Sequence, residues 1–553
     1  MARNRAGVTR SRVTRSRATR AFLTIVPLAF LAVFFVYPVA AILVRGLTPG
    51  GEIDLSPLRD VVSDPMMRQI AWFTVWQAAL STVLTVLVAL PGAFVLSRFE
   101  FPARRLVRAL VTVPFVLPTV VVGSAFASLL GSGGPLAFLG LDQTVAAIVV
   151  AHMFFNYAVV VRTVGGLWAH LDPRQEEAAR MLGASRWRAF RTVTLPSLRP
   201  AIAAASGIVF LFTFTSFGVI LILGGPQQST LETEIYRQTV QLLNLPVAAA
   251  LTIVQLVAVV ALLLVDGRLQ GRTSHALALR SARETVRRPH TTGERALLGS
   301  NLAVMAILLG VPILVLVERS LHPPSGYGLD FYRALGEVGE GSTLFVPPVD
   351  AIVNSLEFAA IATVVALFVG GCAAFALARR RGRVVDSALS LPLGVSAVTV
   401  GFGFLIALDE PPLDLRTSYL LVPLAQALVA IPFVVRTMTP VLRSIDPRLR
   451  EAAATLGAAP RRVWREVDLP IVARAGLVAT GFAFAISLGE FGATVFIVRP
   501  DRPTLPVVIF RLLGRPGPLN FGAAMAASVI LMALTAVAIL AIERFRVGSV
   551  GEF

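Results

Sequence analysis

The sequence predicts an all-α polytopic membrane protein, with about twelve transmembrane helices in two homologous six-helix halves. Three observations predict it. Of the 553 residues, 56% are hydrophobic and only 15% charged, against roughly 25% charged in a soluble domain. The apolar runs are far longer than the 9–11 residues of a barrel strand and do not alternate. The chain also matches itself at a shift of 274 residues.

The spans come first. A bilayer core needs about 20 apolar residues in helix. Charge-free gaps of that size fall at Ala21–Val44, Ile70–Leu96, Ala109–Leu130, Gln143–Val161, Ala201–Leu223 and Pro246–Val265. Six more fall at Ala296–Val317, Ile352–Leu377, Ser387–Leu408, Thr417–Val435, Ala475–Val498 and Phe521–Ile542. Only Glu357 and Glu490 place a charge inside a span. Residues 1–20 carry seven Arg and no acid. The apolar run after them exceeds the 7–15 residues of a signal peptide, so it reads as a retained first helix.

Charge gives the direction. All 50 basic residues are Arg, and the net charge is +18. With the N-terminus inside, the cytoplasmic segments hold 39 Arg and the outer loops 11. The positive-inside rule therefore predicts both termini in the cytoplasm. One outer loop, 499–517, dissents with Arg499, Arg502, Arg511 and Arg515. The excess charge is read as topology and contact with anionic lipid, not as a nucleic-acid face.

The repeat sets the organisation. Asp172-Pro173-Arg174 matches Asp446-Pro447-Arg448, and Phe217-Gly218 matches Phe491-Gly492. The chain divides into a basic cytoplasmic N-tail (1–20), a first half (21–265), a cytoplasmic linker (266–297) and a second half (298–553). Six spans return each half to its starting side, so the halves share one orientation. Old duplications are common in membrane proteins. Here, however, the best-preserved stretch is a polar loop, the part that drifts most easily.

That loop reads as a short helix-turn-helix. Asp172 is placed to cap a helix, Glu176 and Glu177 suit its positive end, and Gly183 suits a left-handed stop. Ser185 is placed to cap a second helix, which Leu195-Pro196 is expected to break. In the second copy Glu451, Ala452, Ala453, Gly457, Leu469 and Pro470 stand where the first has Glu177, Ala178, Ala179, Gly183, Leu195 and Pro196.

The pattern Glu-Ala-Ala, three residues, Gly, then Leu-Pro twelve after the Gly resembles the cytoplasmic loop of ABC importer permeases that work with binding proteins. The resemblance covers essentially the whole chain. It is nearest to the fused two-half permeases of the ferric-iron and thiamine importers. It implies that the two loops dock on two copies of an ATP-binding subunit, with Glu177 and Glu451 as contact residues. It also implies an extracytoplasmic substrate-binding protein, a multi-pass place in a bacterial inner membrane, and no catalysis by this chain. ATP would be bound by the separate subunit. The stretches Ser216-Phe217-Gly218 and Glu490-Phe491-Gly492 are the expected substrate pathway or gate. They differ at Ser216 against Glu490, so the halves are not equivalent there.

Residue chemistry agrees. Without Lys no phosphate-binding P-loop can be written, so energy must come from another subunit or from an ion gradient. The second alternative, a secondary transporter, should carry more intramembrane ionisable groups than two acids. A membrane enzyme should show clustered catalytic residues, and no such cluster, metal set or paired carboxylate is evident. Cys372, the single Cys, reads as packing. His152 and Asn156 read as an interhelical hydrogen bond or a gate. Gly123, Gly401, Pro114 and Pro392 read as marks of broken helices, and Arg379-Arg380-Arg381 as an inside anchor. Intramembrane acids favour a cation, so the expected cargo is a small cationic nutrient, ferric iron or thiamine.

Overall fold

The computed structural model describes residues 21–48, 51–273, 285–338, 344–379, 396–409 and 413–545. The N-tail, the linker residues 274–284, Arg380, Arg381, Pro392 and the first part of the Ser387–Leu408 span lie outside them. Helix dominates, and no strand occurs among the described residues. Ten helices are long and apolar enough to cross a membrane, and an eleventh is a bent pair. With the helix Ala397–Ala407 of the partly described span, this is the polytopic all-α protein expected.

The first-half helices are α1 (Ala21–Leu47), α2 (Ser56–Ser63), α3 (Pro65–Arg98), α4 (Arg104–Val116), α5 (Thr119–Leu130) and α6 (Val145–His170). They continue with α7 (Arg174–Met181), α8 (Arg186–Phe214), α9 (Gly218–Leu223), α10 (Leu231–Tyr236) and α11 (Leu245–Thr273). The second half has α12 (Thr292–Ser320), α13 (Pro348–Arg379), α14 (Ala397–Ala407), α15 (Leu421–Ser444) and α16 (Pro447–Thr455). After these come α17 (Pro460–Gly489), α18 (Thr494–Ile497), α19 (Leu505–Leu513) and α20 (Pro518–Phe545).

Three of the expected spans are broken, though not at Pro114, Gly123 or Gly401, which lie inside helices. The Ala109–Leu130 run bends by 101° between α4 and α5. Pro118 forces Leu117 out of the helical region, and Leu117 is extended at ψ 139°. The Ala201–Leu223 run stops at Phe214 and resumes at Gly218. The Ala475–Val498 run stops at Gly489 and resumes at Thr494.

The expected break at Leu195-Pro196 is absent. The helix runs through it, with a π-helical turn over Phe190–Thr194, and Trp464–Asp468 does the same before Pro470. Ala32–Val36 precedes Pro38 and Ala306–Gly310 precedes Pro312 at the same distance. Four of the five π segments among the described residues thus end two residues before a Pro. A proline lacks its N–H and crowds the carbonyl four residues back; a wider turn accommodates both without ending the helix.

The described residues form two compact units. One draws on 21–53, 344–507 and 533–545, the other on 54–338 and 508–532. These are not the sequential halves. In the first unit α1 packs on α14: Phe34 lies 6.1 Å from Phe404, and a Cβ on Gly403 would meet Pro38 at 2.9 Å. In the second, Met305 and Leu309 of α12 join the core built on α3, α5, α6 and α8. Against the expected division at the linker, α1 packs with 344–507 and α12 with the helices of 54–273.

Lipid tails are as apolar as Leu, so close helix contact in a membrane relies on small residues. Gly92 of α3 faces Tyr157 of α6 so closely that a Cβ would overlap the phenol oxygen, and Gly165 lies against Ala93. In the other unit Gly370 of α13 faces Val434 of α15 in the same way. Cys372, also on α13, is buried.

Candidate coupling loops and pathway residues

The two loops are built alike. Asp172 accepts the Arg174 N–H at 3.1 Å, and Asp446 accepts the Arg448 N–H at 2.9 Å. Each carboxylate satisfies a donor that the helix start leaves free. Gly183 and Gly457 have φ of 89° and 82°. Ala184 donates to the Ala179 carbonyl at 3.1 Å and Ala458 to that of Ala453 at 3.0 Å, a Schellman closure in both. A Cβ at either glycine meets nothing within 4 Å, so the left-handed backbone alone requires glycine.

Ser185 accepts the Arg188 N–H at 3.3 Å, the expected cap of the second helix. Ala459 holds that position in the other loop and offers no side-chain cap. A further tie escaped the sequence reading. Glu176 accepts from the Thr194 hydroxyl at 2.9 Å, and 274 residues on Arg450 donates to Asp468 at 2.8 Å. Both join the first loop helix to the π turn below the next span.

The loop surfaces are exposed and partly apolar. Met181 is 88% exposed, Leu182 90% and Leu456 88%. Glu177, Ala178, Glu451 and Ala452 are exposed, and Ala179 and Ala453 half-buried. Leu195 and Pro196 are half-buried, and Leu469 and Pro470 exposed.

Inside the spans, the break after α8 is held by hydroxyls and a histidine. His152 of α6 meets Ser216 through Nε2 at 2.9 Å and Ser81 of α3 through Nδ1 at 3.1 Å. All three are buried, so the interhelical hydrogen bond is what His152 makes. Asn156 donates back to the His152 carbonyl at 3.0 Å. Gln77 of α3 donates to the Thr213 carbonyl in the last turn of α8 at 3.0 Å, answering an orphan acceptor there.

The break after α17 is held by a carboxylate. Glu490 accepts from Ala493 N at 2.7 Å and from Thr494 N at 3.0 Å, and is 6% exposed. Its oxygens are engaged by backbone donors at the start of α18. Phe217, Gly218 and Phe491 are buried beside these breaks. A Cβ on Gly492 would meet Ala397 at 2.9 Å. Gly123 and Gly401 bring α5 and α14 against the same regions; their Cβ positions lie 2.7 Å from Ile222 and from the Ala493 backbone. Glu357 sits on an exposed face of α13, away from this burial.

Two acids were missed. Glu232 and Glu234 of α10 are buried, in a stretch read as an outer loop. Glu232 accepts from Gln255, and Glu234 pairs with Arg237 at 2.8 Å. The signal lay in the repeat: Pro506 and Val508 hold these positions in the second copy, where an exposed loop would not be apolar. Part of the dissenting outer loop has the same explanation. Arg511 is half-buried on α19, and Arg499 pairs with Asp501 at 2.9 Å.

Two exposed loops of matching geometry, and spans broken around buried polar groups, are features that suit a transport permease. Residues 81–274 match the family described as the binding-protein-dependent transport system inner membrane component. The chain is 30% identical to the thiamine transport system permease protein ThiP of Brucella abortus (strain 2308), over 86% of this chain and 88% of that one. It is 27% identical to ThiP of Escherichia coli (strain K12), over 82% and 85%. A crystal structure of a bacterial ABC transporter for alginate import aligns with 48% of this chain and 99% of its own, at 19% identity and a TM-score of 0.42.

The chain belongs to the binding-protein-dependent permeases of ABC importers, in the fused two-half form. It is a multi-pass inner-membrane protein, and membership implies ATPase and substrate-binding partners.

Proposed function

We propose that this permease imports thiamine, driven by ATP bound and hydrolysed on two copies of a separate subunit, one on each coupling loop. The observation that carries the cargo is the identity shared with thiamine permeases over most of both chains. Thiamine is a small cation, in keeping with the class read from the intramembrane acids. The Glu490 carboxylate contributes less to that reading than its charge suggests, because it faces backbone donors.

The coupling reading is supported by two loops of matching geometry with exposed apolar tips. Glu177, Ala178, Ala179 and Gly183 would meet one ATPase copy, and Glu451, Ala452, Ala453 and Gly457 the other. Leu195-Pro196 and Leu469-Pro470 join these loops to the spans. Closure of the ATPase pair would then move the loops together, a rigid-body transition. Ser216, Phe217, Gly218, Glu490, Phe491 and Gly492 would form the gate. Both termini and the linker would face the cytoplasm, a reading that the Arg distribution supports.

Uptake of labelled thiamine in a strain lacking this chain tests the cargo. Lost thiamine uptake restored by the gene is expected. Normal thiamine uptake with lost ferric-iron uptake would replace thiamine by iron, and lost sulfate uptake would overturn the cation reading. Transport by the purified chain alone under a proton gradient would overturn ATP drive.

A further inference from the structure

The linker returns to the fold at a particular place. Arg287 N donates to the Arg98 carbonyl and Glu100 N to the Arg287 carbonyl, both at 2.9 Å. This is the one isolated β-bridge among the described residues. It joins the linker to the chain just past the end of α3. Thr285, buried, donates its hydroxyl to the Ala169 carbonyl at 2.6 Å, near the end of α6. Arg98 donates to the Leu171 carbonyl at 3.0 Å, one residue before the first coupling loop begins.

The Arg287 side chain completes the arrangement. Its guanidinium stands 5.5 Å from the Phe99 ring centroid and makes a two-pronged contact with Glu294 at 3.0 and 2.6 Å. Glu294 is fixed in turn, since it accepts from His290 N at 3.0 Å and closes a capping box with Thr291. The Glu294 contact, helped by the charges of Glu176 and Glu177, holds the Arg287 proton more firmly than usual. Glu176 and Glu177 belong to the coupling helix α7. No described linker residue bridges to the second loop in this way.

We propose that Arg287 is a positioning residue for the first coupling loop. Linker residues 285–294 clamp the ends of α3 and α6, and Arg98, held in the bridge to Arg287, fixes Leu171, so the point from which α7 starts is set. The first loop is then the stiffer of the two contacts with the ATPase. This rests on the coupling reading above for its consequence, but the clamp itself can be tested without it.

The test uses the full chain with Cys372→Ser. A nitroxide is placed at Arg180→Cys in the first loop or at Ala454→Cys in the second. Arg287→Ala should mobilise the label at 180 and leave the label at 454 unchanged, while Arg287→Lys restores part of the order. An unchanged spectrum at 180, or equal mobilisation at both positions, overturns the clamp.

In proteoliposomes with the cognate ATPase and binding protein, Arg287→Ala should raise ATP hydrolysed per thiamine transported. About two- to five-fold is expected for one half-exposed ionic contact. ATPase copurification should be unchanged. An unchanged ratio overturns the positioning role, whereas failure of the wild-type chain to capture any ATPase overturns the coupling reading and leaves the label experiment to decide the clamp.

Discussion

In the first half the chain leaves its helix at Phe214, and Ser216, His152 and Ser81 hold the turn by neutral hydrogen bonds across three segments. In the second it leaves at Gly489, and one carboxylate, Glu490, turns back onto the N–H groups of Ala493 and Thr494. Ser216 and Glu490 stand 274 residues apart, at the same point of the repeat. The break recurs at both positions, and different side chains hold it. A chain break buried in a bilayer must have its backbone groups answered; Gln77 answers the Thr213 carbonyl in the first half, and Glu490 answers two N–H groups in the second. Three residues share the task in one half; in the other Glu490 answers the N–H groups, and the Thr494 hydroxyl donates to the Glu490 and Phe491 carbonyls at 3.0 and 3.2 Å.

The largest effect should therefore come from Glu490→Ala. It leaves two buried N–H groups without acceptors, at roughly 1–3 kcal/mol each. Ser216→Ala leaves only one ring nitrogen of His152 unanswered, for about 1–3 kcal/mol in total. Thermal unfolding in detergent should rank Glu490→Ala below Glu490→Gln, which keeps one oxygen, and both below wild type. Equal losses for Ser216→Ala and Glu490→Ala would break the comparison.

Next in size is Gly401→Ala. Its Cβ would lie 2.7 Å from both Cα and O of Ala493, backbone atoms that cannot step aside. An overpacking cost of about 1–3 kcal/mol is expected. Gly123→Ala meets the Cδ1 end of Ile222 at 2.7 Å and its Cβ at 3.0 Å. A rotamer change relieves part of that, so the first-half variant should melt closer to wild type. The reverse order would mean that α5, not α14, sets the tighter contact.

Gly183→Ala and Gly457→Ala should sharpen the comparison by being alike. Each forces an L side chain into the left-handed region, at about 1–2 kcal/mol, with no steric partner to make one worse. Equal loss of ATPase capture is expected in a pull-down. A much larger effect at Gly183 would show that the first loop has less freedom to relax.

What could be read in the sequence was what is local. Asp172, Gly183 and their counterparts act through the next few residues, and their residue types name the geometry. The spans were legible because charge is so sparse. Leu195-Pro196 was misread because a Pro can end a helix or widen it, and the surrounding fold decides which. The bend at Leu117-Pro118 shows the other outcome of the same chemistry. Glu232 and Glu234 were hidden because charge marks a loop until a partner such as Gln255 or Arg237 is known. The exchange of α1 and α12 between the units leaves no local signal, since it depends on contacts hundreds of residues apart.

The smallest effect concerns the ties between loop helix and π turn. Glu176 with Thr194 and Arg450 with Asp468 occupy the same two positions with the chemistry exchanged. Arg450 is 44% exposed in its side chain, so solvent screens its pair and removing it should cost at most about 1 kcal/mol. Added salt should weaken Arg450–Asp468 more than Glu176–Thr194, because only the former joins two charges. Glu176→Arg alone places a cation near Arg98 and Arg287, both of which feel the Glu176 charge. It should reduce ATPase capture, and adding Thr194→Asp should restore most of the loss by rebuilding the second loop's pair in the first. If the double variant captures no more ATPase than Glu176→Arg alone, the two ties are not interchangeable.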